Sequence, residues 1–142
     1  MINVGITGQF GFIGTHLFNY LKLGKDEFTL IPFEDKYFEN EGQLKMFVKK
    51  CDAIVHLAAM NRHENPEIIY ETNLGLVSTL IKALEETDSR PHVLFSSSTQ
   101  EENDTLYGKS KNEGRLLLEK WAQRNMANFT GLIIPNVFGP FG

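Results

Sequence analysis

Tyr107 and Lys111 are four positions apart in a stretch that predicts a helix, so both side chains lie on one helical face. A free tyrosine has a pKa near ~10, too high for proton exchange at neutral pH. A neighbouring ammonium stabilises the phenolate and lowers that pKa. The pair could then exchange a proton with a substrate oxygen, which Ser98 could hold by a hydrogen bond. The alternative is an ordinary surface turn of a helix.

A glycine-rich segment follows the first apolar run of the chain. Gly8 permits a tight turn, Gly11 lets the backbone approach a pyrophosphate, and Gly14 lets the next helix pack on the strand. Phe12 and Ile13 lie at the start of that helix, whose free N–H groups and dipole attract phosphates. The segment therefore favours binding of a dinucleotide over a glycine-rich turn with a packing role alone.

Two acidic residues, Glu34 and Asp35, follow the second apolar run. A carboxylate there accepts hydrogen bonds from the adenosine ribose and repels a 2′-phosphate. Lys36 is the only basic neighbour. The pattern favours NAD over NADP, and a solvated charged turn is the alternative.

The composition excludes several classes of protein. Of 142 residues, 42% are hydrophobic and 23% charged, as in a globular domain, and the net charge of −4 gives no basic face for nucleic acid. No apolar run approaches the ~20 residues of a membrane span, and no export signal is visible. A single cysteine, Cys51, excludes an internal disulfide and suits a cytoplasmic location. The four histidines show no metal-ligand spacing, so we expect no metal.

Short apolar runs alternate with longer amphipathic stretches along the whole chain. The predicted strands are residues 2–7, 28–33, 52–59, a fourth that begins at 92 and stops within the serines 96–98, and 129–134. The predicted helices are residues 11–22, 41–50, 66–86 and 106–126. Strict alternation predicts a doubly wound parallel α/β sheet with helices on both faces. In such sheets the strand ends and the helix starts after them face one crevice, where ligands bind.

The last residues, 136–142, read as a loop leaving a strand. We therefore expect residues 1–142 to form one dinucleotide-binding domain. It would be the N-terminal part of a longer enzyme whose substrate domain is absent.

Five motifs occur in order along the chain: Gly8-x-x-Gly11-x-x-Gly14, His56-Leu57-Ala58-Ala59, Ser96-Ser97-Ser98, Tyr107-x-x-x-Lys111 and Asn136-Val137-Phe138-Gly139-Pro140. Together they resemble the extended short-chain dehydrogenase/reductases, the NAD(P)-dependent nucleotide-sugar epimerase/dehydratase family with a Rossmann-like fold. The resemblance implies that Ser98, Tyr107 and Lys111 are catalytic and that Lys111 also holds the nicotinamide ribose. It implies cofactor contacts at Leu57, Ala58, Ala59, Pro135, Asn136 and Val137. It also implies that Asn73 helps to orient the catalytic residues, although a polar residue inside a helix needs no such role.

Two departures from the family pattern resemble its 4-keto-sugar reductase branch, which serves capsular polysaccharide synthesis. Ser98 and Tyr107 are only nine positions apart, and the segment before the third strand is short. This branch implies a nucleotide-activated 4-keto hexose as substrate, with contacts at Asn61, Arg62 and Thr99, although a solvent-facing loop would account for the first two equally well. Its usual cofactor is NADPH, against the pattern at Glu34, so the cofactor stays open between NAD and NADP.

Other functions remain open within the same fold. An epimerase or a dehydratase begins with the same chemistry at C4 of the sugar, but a dehydratase needs an acidic pair where Thr99 and Gln100 stand. Glu101 and Glu102 are near but displaced. A non-catalytic NAD(P)-binding sensor is disfavoured because such proteins lose the tyrosine or the lysine, and a flavodoxin-like binding module does not explain the later motifs.

The resemblance also implies a homodimer in which two helices of each subunit form a four-helix bundle. The candidate helices are residues 66–86 and 106–126. Their outer apolar residues, such as Ile68 and Leu116, are few, so a monomer is the alternative.

Overall fold

The computed structural model describes residues 1–60 and 62–134. Within them, five parallel strands and four α-helices alternate: β1 (Ile2–Thr7), α1 (Phe12–Lys22), β2 (Phe28–Ile31), α2 (Glu41–Lys50), β3 (Ala53–His56), α3 (Pro66–Glu86), β4 (His92–Ser98), α4 (Leu106–Asn125) and β5 (Phe129–Ile134). Short 3-10 helices, Asp35–Glu39 and Thr99–Glu102, follow β2 and β4. The predicted parallel α/β sheet is confirmed.

The sheet has the strand order β2-β1-β3-β4-β5. The chain runs from β1 to β2 on one side and then crosses to β3 on the other, so β1 and β3 meet where its direction reverses. Right-handed connections then place α1 on one face and α2, α3 and α4 on the other. Ligands of doubly wound sheets bind in the crevice beside the carboxyl ends of the strands at such a reversal.

The hydrophobic core lies between the sheet and the three helices that share a face. Trp121, Leu118, Leu80 and Leu84 are fully buried there. On α3 Val77 is buried as well, whereas its neighbour Leu76 is only half-buried. In the described part of the chain, no helix combines the length and the apolar character that a membrane span requires.

Each helix on that face begins at a polar cap. Asn40 accepts a hydrogen bond from the Gln43 amide at the start of α2, and Asn65 accepts one from the Glu67 amide at the start of α3. Thr105 does the same for the Gly108 amide at the start of α4. These caps satisfy N–H groups that the first turn leaves without partners, so they fix where each helix begins.

Several predicted boundaries were wrong. β2 ends at Ile31 because Pro32 has no N–H for the ladder, and Phe33 then turns into the core. β3 ends at His56 rather than at residue 59, because the chain leaves the strand after His56 and the Leu57 amide donates to Thr7 Oγ1. The end of β4 at Ser98 agrees with the prediction that this strand stops within the three serines, which pair with β5.

Candidate active site

The glycine segment forms a tight turn between β1 and α1. Gly8 has φ +71°, and a Cβ atom there would lie 2.9 Å from the amide nitrogen of Ala58. A Cβ atom on Gly14 would lie 2.1 Å from the Gly8 carbonyl oxygen. On Gly11 the nearest atom would be that same oxygen, at an ordinary 3.4 Å. Gly8 and Gly14 are therefore required by the fold, whereas Gly11 leaves open space beside the helix start.

That open space lies at the N-terminus of α1. Gly11 is the N-cap residue and carries no side chain to cap the helix, while its carbonyl oxygen accepts the first helical bond from the Thr15 amide at 2.8 Å. Phe12 and Ile13 are half-buried in the first turn. Since no side chain of the described residues caps this turn, its N–H groups and the helix dipole are available to an anion.

The segment after β3 forms the second wall of the site. Leu57 and Ala58 donate their amide hydrogens to Thr7 Oγ1 at 3.0 and 3.1 Å, which holds them beside the Gly8 turn. Ala59 is exposed. The sequence analysis missed Thr7; the signal was a hydroxyl residue at the end of an otherwise buried strand.

Ser98 ends β4 and begins the next connection. Its Oγ accepts a hydrogen bond from the Gln100 amide at 3.1 Å and so caps the 3-10 helix, of which Thr99 is the exposed first residue. A Cβ atom on Gly108 would lie 2.0 Å from the Gln100 carbonyl oxygen, so this 3-10 helix packs directly on the start of α4. The short connection therefore brings the turn that carries Tyr107 back to the end of β4.

Lys111 is almost fully buried one helical turn after Tyr107. Its ammonium donates to the Ser96 carbonyl oxygen at 3.0 Å, and lies 5.1 Å from the Phe95 ring centre and 5.9 Å from the Tyr107 ring centre. Burial lowers the pKa of Lys111 to about 8. Burial also raises the pKa of Tyr107, whereas the sequence analysis expected a lower value. The side chains of Tyr107 and Lys111 thus lie close together, and Tyr107 keeps its proton at neutral pH.

Asn73 connects the loop after β3 to α4. Its Oδ1 accepts from the Met60 amide at 2.7 Å, and its Nδ2 donates to the Met60 carbonyl oxygen at 3.0 Å and to Ser110 Oγ at 3.1 Å. Ser110 Oγ in turn donates to the Tyr107 carbonyl oxygen at 2.7 Å. The buried amide therefore holds the turn of Tyr107 and the loop beside Ala58 in one hydrogen-bonded unit.

Glu101 and Arg115 form an ion pair between the 3-10 helix and α4, which the sequence analysis did not find. Arg115 Nη2 donates to Glu101 Oε1 at 2.9 Å, and Ser97 Oγ donates to the same carboxylate. Burial alone would raise the pKa of Glu101, but the hydrogen bonds from Arg115 and Ser97 outweigh it and lower that pKa. Glu101 is therefore held as a carboxylate.

Glu34 and Asp35 do not end β2 directly, because the strand stops at Ile31. Both are exposed at the start of the 3-10 helix, where Glu34 pairs with Lys36 at 3.6 Å. Arg62 is also exposed. Four further predicted site residues lie outside the described part of the chain: Asn61, Pro135, Asn136 and Val137.

The described residues contain no group of three or more His, Cys, Asp or Glu side chains that could hold a metal ion. Cys51 is buried, and its thiol donates to the Phe47 carbonyl oxygen at 3.3 Å. Burial raises the pKa of this thiol to about 12, so it stays protonated and unreactive.

Comparison with known proteins agrees with this geometry. UDP-2-acetamido-2,6-beta-L-arabino-hexul-4-ose reductase of Pseudomonas aeruginosa is 30% identical over 138 residues, which are 97% of this chain and 36% of that protein. Capsular polysaccharide assembling protein CapF of Staphylococcus aureus is 29% identical, with a TM-score of 0.77 over 97% of this chain and 35% of CapF. The chain thus spans about a third of the length of each of these relatives.

A structure with lower sequence identity shares the fold. RMD from Pseudomonas aeruginosa, complexed with NADPH, has a TM-score of 0.88 at 21% identity, over 99% of this chain and 55% of that one. The model of the NAD dependent epimerase/dehydratase family matches residues 4–142. With the five-stranded parallel sheet and the glycine turn at its reversal point, this match shows that the chain belongs to the NAD dependent epimerase/dehydratase family.

Proposed function

We propose that this chain is the dinucleotide-binding part of an NAD(P)H-dependent reductase that acts on C4 of a nucleotide-activated 4-keto hexose. The observation that carries the proposal is the buried Lys111 one turn after a protonated Tyr107, beside the end of the strand that carries Ser98. The similarity to a UDP-sugar 4-keto reductase over almost the whole chain supports the same substrate class.

The residues around the glycine turn fit a dinucleotide. A pyrophosphate would lie against Gly11 and the N–H groups of Phe12 and Ile13, where α1 has no cap and the backbone leaves room. Leu57 and Ala58 would line the cofactor on the other side of the Gly8 turn. We propose that Lys111 holds the nicotinamide ribose and that Pro135, Asn136 and Val137 lie near the nicotinamide. A bound nicotinamide supplies the hydride.

The catalytic residues would hold and move a proton at the substrate oxygen. Tyr107 is protonated at neutral pH, and a reductase needs this form because the oxygen of a ketone gains a proton as it becomes a hydroxyl. The Ser98 oxygen accepts from the Gln100 amide and donates to no other group among residues 1–60 and 62–134, so its hydrogen can bond the substrate oxygen. We propose that Thr99, Asn61 and Arg62 contact the substrate.

A dehydratase is disfavoured by the state of the Glu101 carboxylate, three positions after Ser98. Glu101 is bound by Arg115 of α4 and by Ser97 of β4, and its pKa is lowered. An acid that must give a proton to a leaving hydroxyl needs a raised pKa and access to the sugar. Thr99 and Gln100 offer no ionisable group in its place.

Titration of the chain with NADPH and NADH, followed by energy transfer from Trp121 and by calorimetry, tests the cofactor site. We expect saturable binding that Gly11→Asp abolishes, because the new carboxylate would occupy the phosphate position. Gly75→Asp is the matched control, since a Cβ atom on Gly75 has no neighbour within 4 Å and lies on α3. The assigned site would be contradicted if both variants lost binding, or if the parent chain bound neither cofactor.

Substrate turnover tests the reaction. With a UDP-4-keto hexose and NADPH, the reductase proposal predicts consumption of NADPH and a 4-hydroxy product. Epimerisation of a UDP-hexose without net consumption of NADPH would favour the epimerase instead. The similarity to a capsular polysaccharide assembling protein supports a role in capsule synthesis, and we propose that the enzyme works in the cytoplasm.

We also propose a homodimer through α3 and α4. Ile68, Leu116 and Leu117 are more than a third exposed on these two helices, as expected for residues that a partner would cover. Sedimentation velocity of the parent chain and of Leu116→Glu tests the proposal. We expect a dimer that the charge dissociates, whereas a monomeric parent chain would overturn it.

A further inference from the structure

Thr7 and His56 end the neighbouring strands β1 and β3 and lie opposite each other in the register. Both are almost completely buried, and Thr7 Oγ1 lies 2.7 Å from His56 Nδ1. A hydroxyl group has one hydrogen to donate and two lone pairs. Because the Leu57 and Ala58 amides both donate to this oxygen, the hydroxyl hydrogen must point at Nδ1. His56 Nδ1 is therefore an acceptor.

This assignment places the hydrogen of the His56 ring on Nε2. Burial and the nearby charge of Lys111 lower the pKa of His56 to about 3, so the ring is neutral. Within the described part of the chain, Nε2 is buried and has no hydrogen-bond partner. An apolar side chain of similar size would avoid the cost of an unpaired buried donor. An imidazole at this position is thus best explained by the hydrogen bond that its Nδ1 accepts from Thr7.

The Ala58 amide shows what depends on that acceptor. Leu57 has a second acceptor, since its amide also reaches the Thr7 carbonyl oxygen at 3.2 Å. For Ala58, the Thr7 hydroxyl is the acceptor that the described residues provide. A Cβ atom on Gly8 would lie 2.9 Å from the Ala58 nitrogen, so the Gly8 turn and Ala58 are in direct contact. A displaced Ala58 would therefore narrow or open the proposed cofactor site.

We infer that His56 is a positioning residue: by accepting the Thr7 hydrogen, it turns both lone pairs of Thr7 toward the Leu57 and Ala58 amides and so fixes the wall of the cofactor site. The inference rests on the proposed function for its effect on binding. Its hydrogen-bond geometry stands independently of any ligand.

Paired variants test the inference. His56→Leu removes the acceptor but keeps an apolar side chain, whereas His56→Asn keeps an acceptor oxygen at the same number of bonds from Cβ as Nδ1. Thr7→Val and Thr7→Ser form a second pair with the same logic. Hydrogen exchange of the Ala58 amide, the NADPH dissociation constant and the Tm are measured for all four.

We expect His56→Leu and Thr7→Val to speed exchange at Ala58 at least tenfold and to weaken NADPH binding about tenfold. His56→Asn and Thr7→Ser should keep the exchange rate at Ala58 and the NADPH affinity close to those of the parent chain. We expect the Tm of His56→Leu to stay near that of the parent chain, since the unpaired Nε2 donor is also removed; a merely structural role would lower the Tm instead. Thr7→Val keeps the test decisive if His56→Leu does not fold.

Unchanged exchange at Ala58 in both His56→Leu and Thr7→Val would overturn the inference. A long-range ¹H–¹⁵N spectrum that places the His56 hydrogen on Nδ1 would also overturn it. If the parent chain binds neither NADPH nor NADH, the proposed function fails, and the exchange measurements still decide the role of His56.

Discussion

The Lys111 ammonium lies 5.9 Å from the centre of the Tyr107 ring, and burial moves the pKa values of the two groups in opposite directions. The pKa of Lys111 is lowered to about 8, because a buried ammonium is costly. The pKa of Tyr107 is raised, because a buried phenolate is costly. The site therefore holds a neutral tyrosine beside a lysine that titrates close to physiological pH.

The Lys111 shift predicts a rise in stability at alkaline pH. In the unfolded chain Lys111 returns to its ordinary pKa of 10.5, so between pH 8 and 10.5 the unfolded state binds more protons and the free energy of unfolding increases with pH. Below pH 8 both states are protonated and the penalty is constant. We expect the parent chain to gain about 2 kcal/mol relative to Lys111→Met between about pH 7.5 and 9.5.

Urea denaturation at these two pH values measures the difference. Lys109→Met is the control, since Lys109 is an exposed lysine on the same helix. Parallel pH dependence in the parent chain and Lys111→Met would show that the ammonium is not desolvated in the folded protein.

Tyr107→Phe should separate binding from proton transfer. The phenyl ring keeps the contact with the Lys111 ammonium, so we expect NADPH affinity to change less than about twofold. The hydroxyl that gives the proton is lost, and turnover of a 4-keto substrate should fall at least about 100-fold. Steady-state kinetics beside a binding titration check this result. Retained turnover would exclude Tyr107 as the proton donor.

The Glu101–Arg115 pair predicts a pH-dependent contribution to stability. Glu101→Gln leaves the partly buried Arg115 without its main partner, and we expect a loss of about 2 kcal/mol at neutral pH. The pKa of Glu101 is lowered in the folded state, so this contribution is present above its unfolded value of 4.5 and is lost as pH falls through the lowered value.

Glu119→Gln provides the matched control for that variant. Glu119 also accepts from Arg115, at 2.8 Å, but its side chain is far more exposed, 38% against 9% for Glu101. We expect it to cost less than about 1 kcal/mol. Equal losses of unfolding free energy in the two variants, measured by urea denaturation, would show that burial does not strengthen the Glu101–Arg115 pair.

The parts of the site that follow strand ends and helix starts were predictable from the sequence. The glycine turn, Ser98 and the Tyr107–Lys111 pair each have a local pattern, because strands and helices fix which residues share an edge or a face. The contacts of Thr7 with Ala58, Asn73 with Met60 and Glu101 with Arg115 have no such pattern. They join residues 13 to 51 positions apart, and depend on the register of β1 with β3, on the packing of the loop after β3 against α3, and on the packing of the second 3-10 helix against α4.

The pKa of Tyr107 shows a second limit of sequence reasoning. The spacing to Lys111 correctly placed the ammonium near the ring, but the sign of the shift depends on how much water the site excludes. Burial of both groups outweighs their proximity, and burial is a property of the packed strands and helices around them.

The Glu34 carboxylate is expected to influence whether NADH or NADPH binds more tightly. It is exposed beyond β2 and, among the residues that the structure describes, pairs with Lys36 alone, at 3.6 Å, so it can meet the adenosine ribose. We expect Glu34→Gln to raise the ratio of NADPH to NADH affinity by about three- to tenfold, because the repulsion of a 2′-phosphate is removed. Glu39→Gln, at the other end of the same 3-10 helix, should leave the ratio unchanged. Calorimetric titration of each variant with both cofactors measures it, and an unchanged ratio in Glu34→Gln would place the ribose elsewhere.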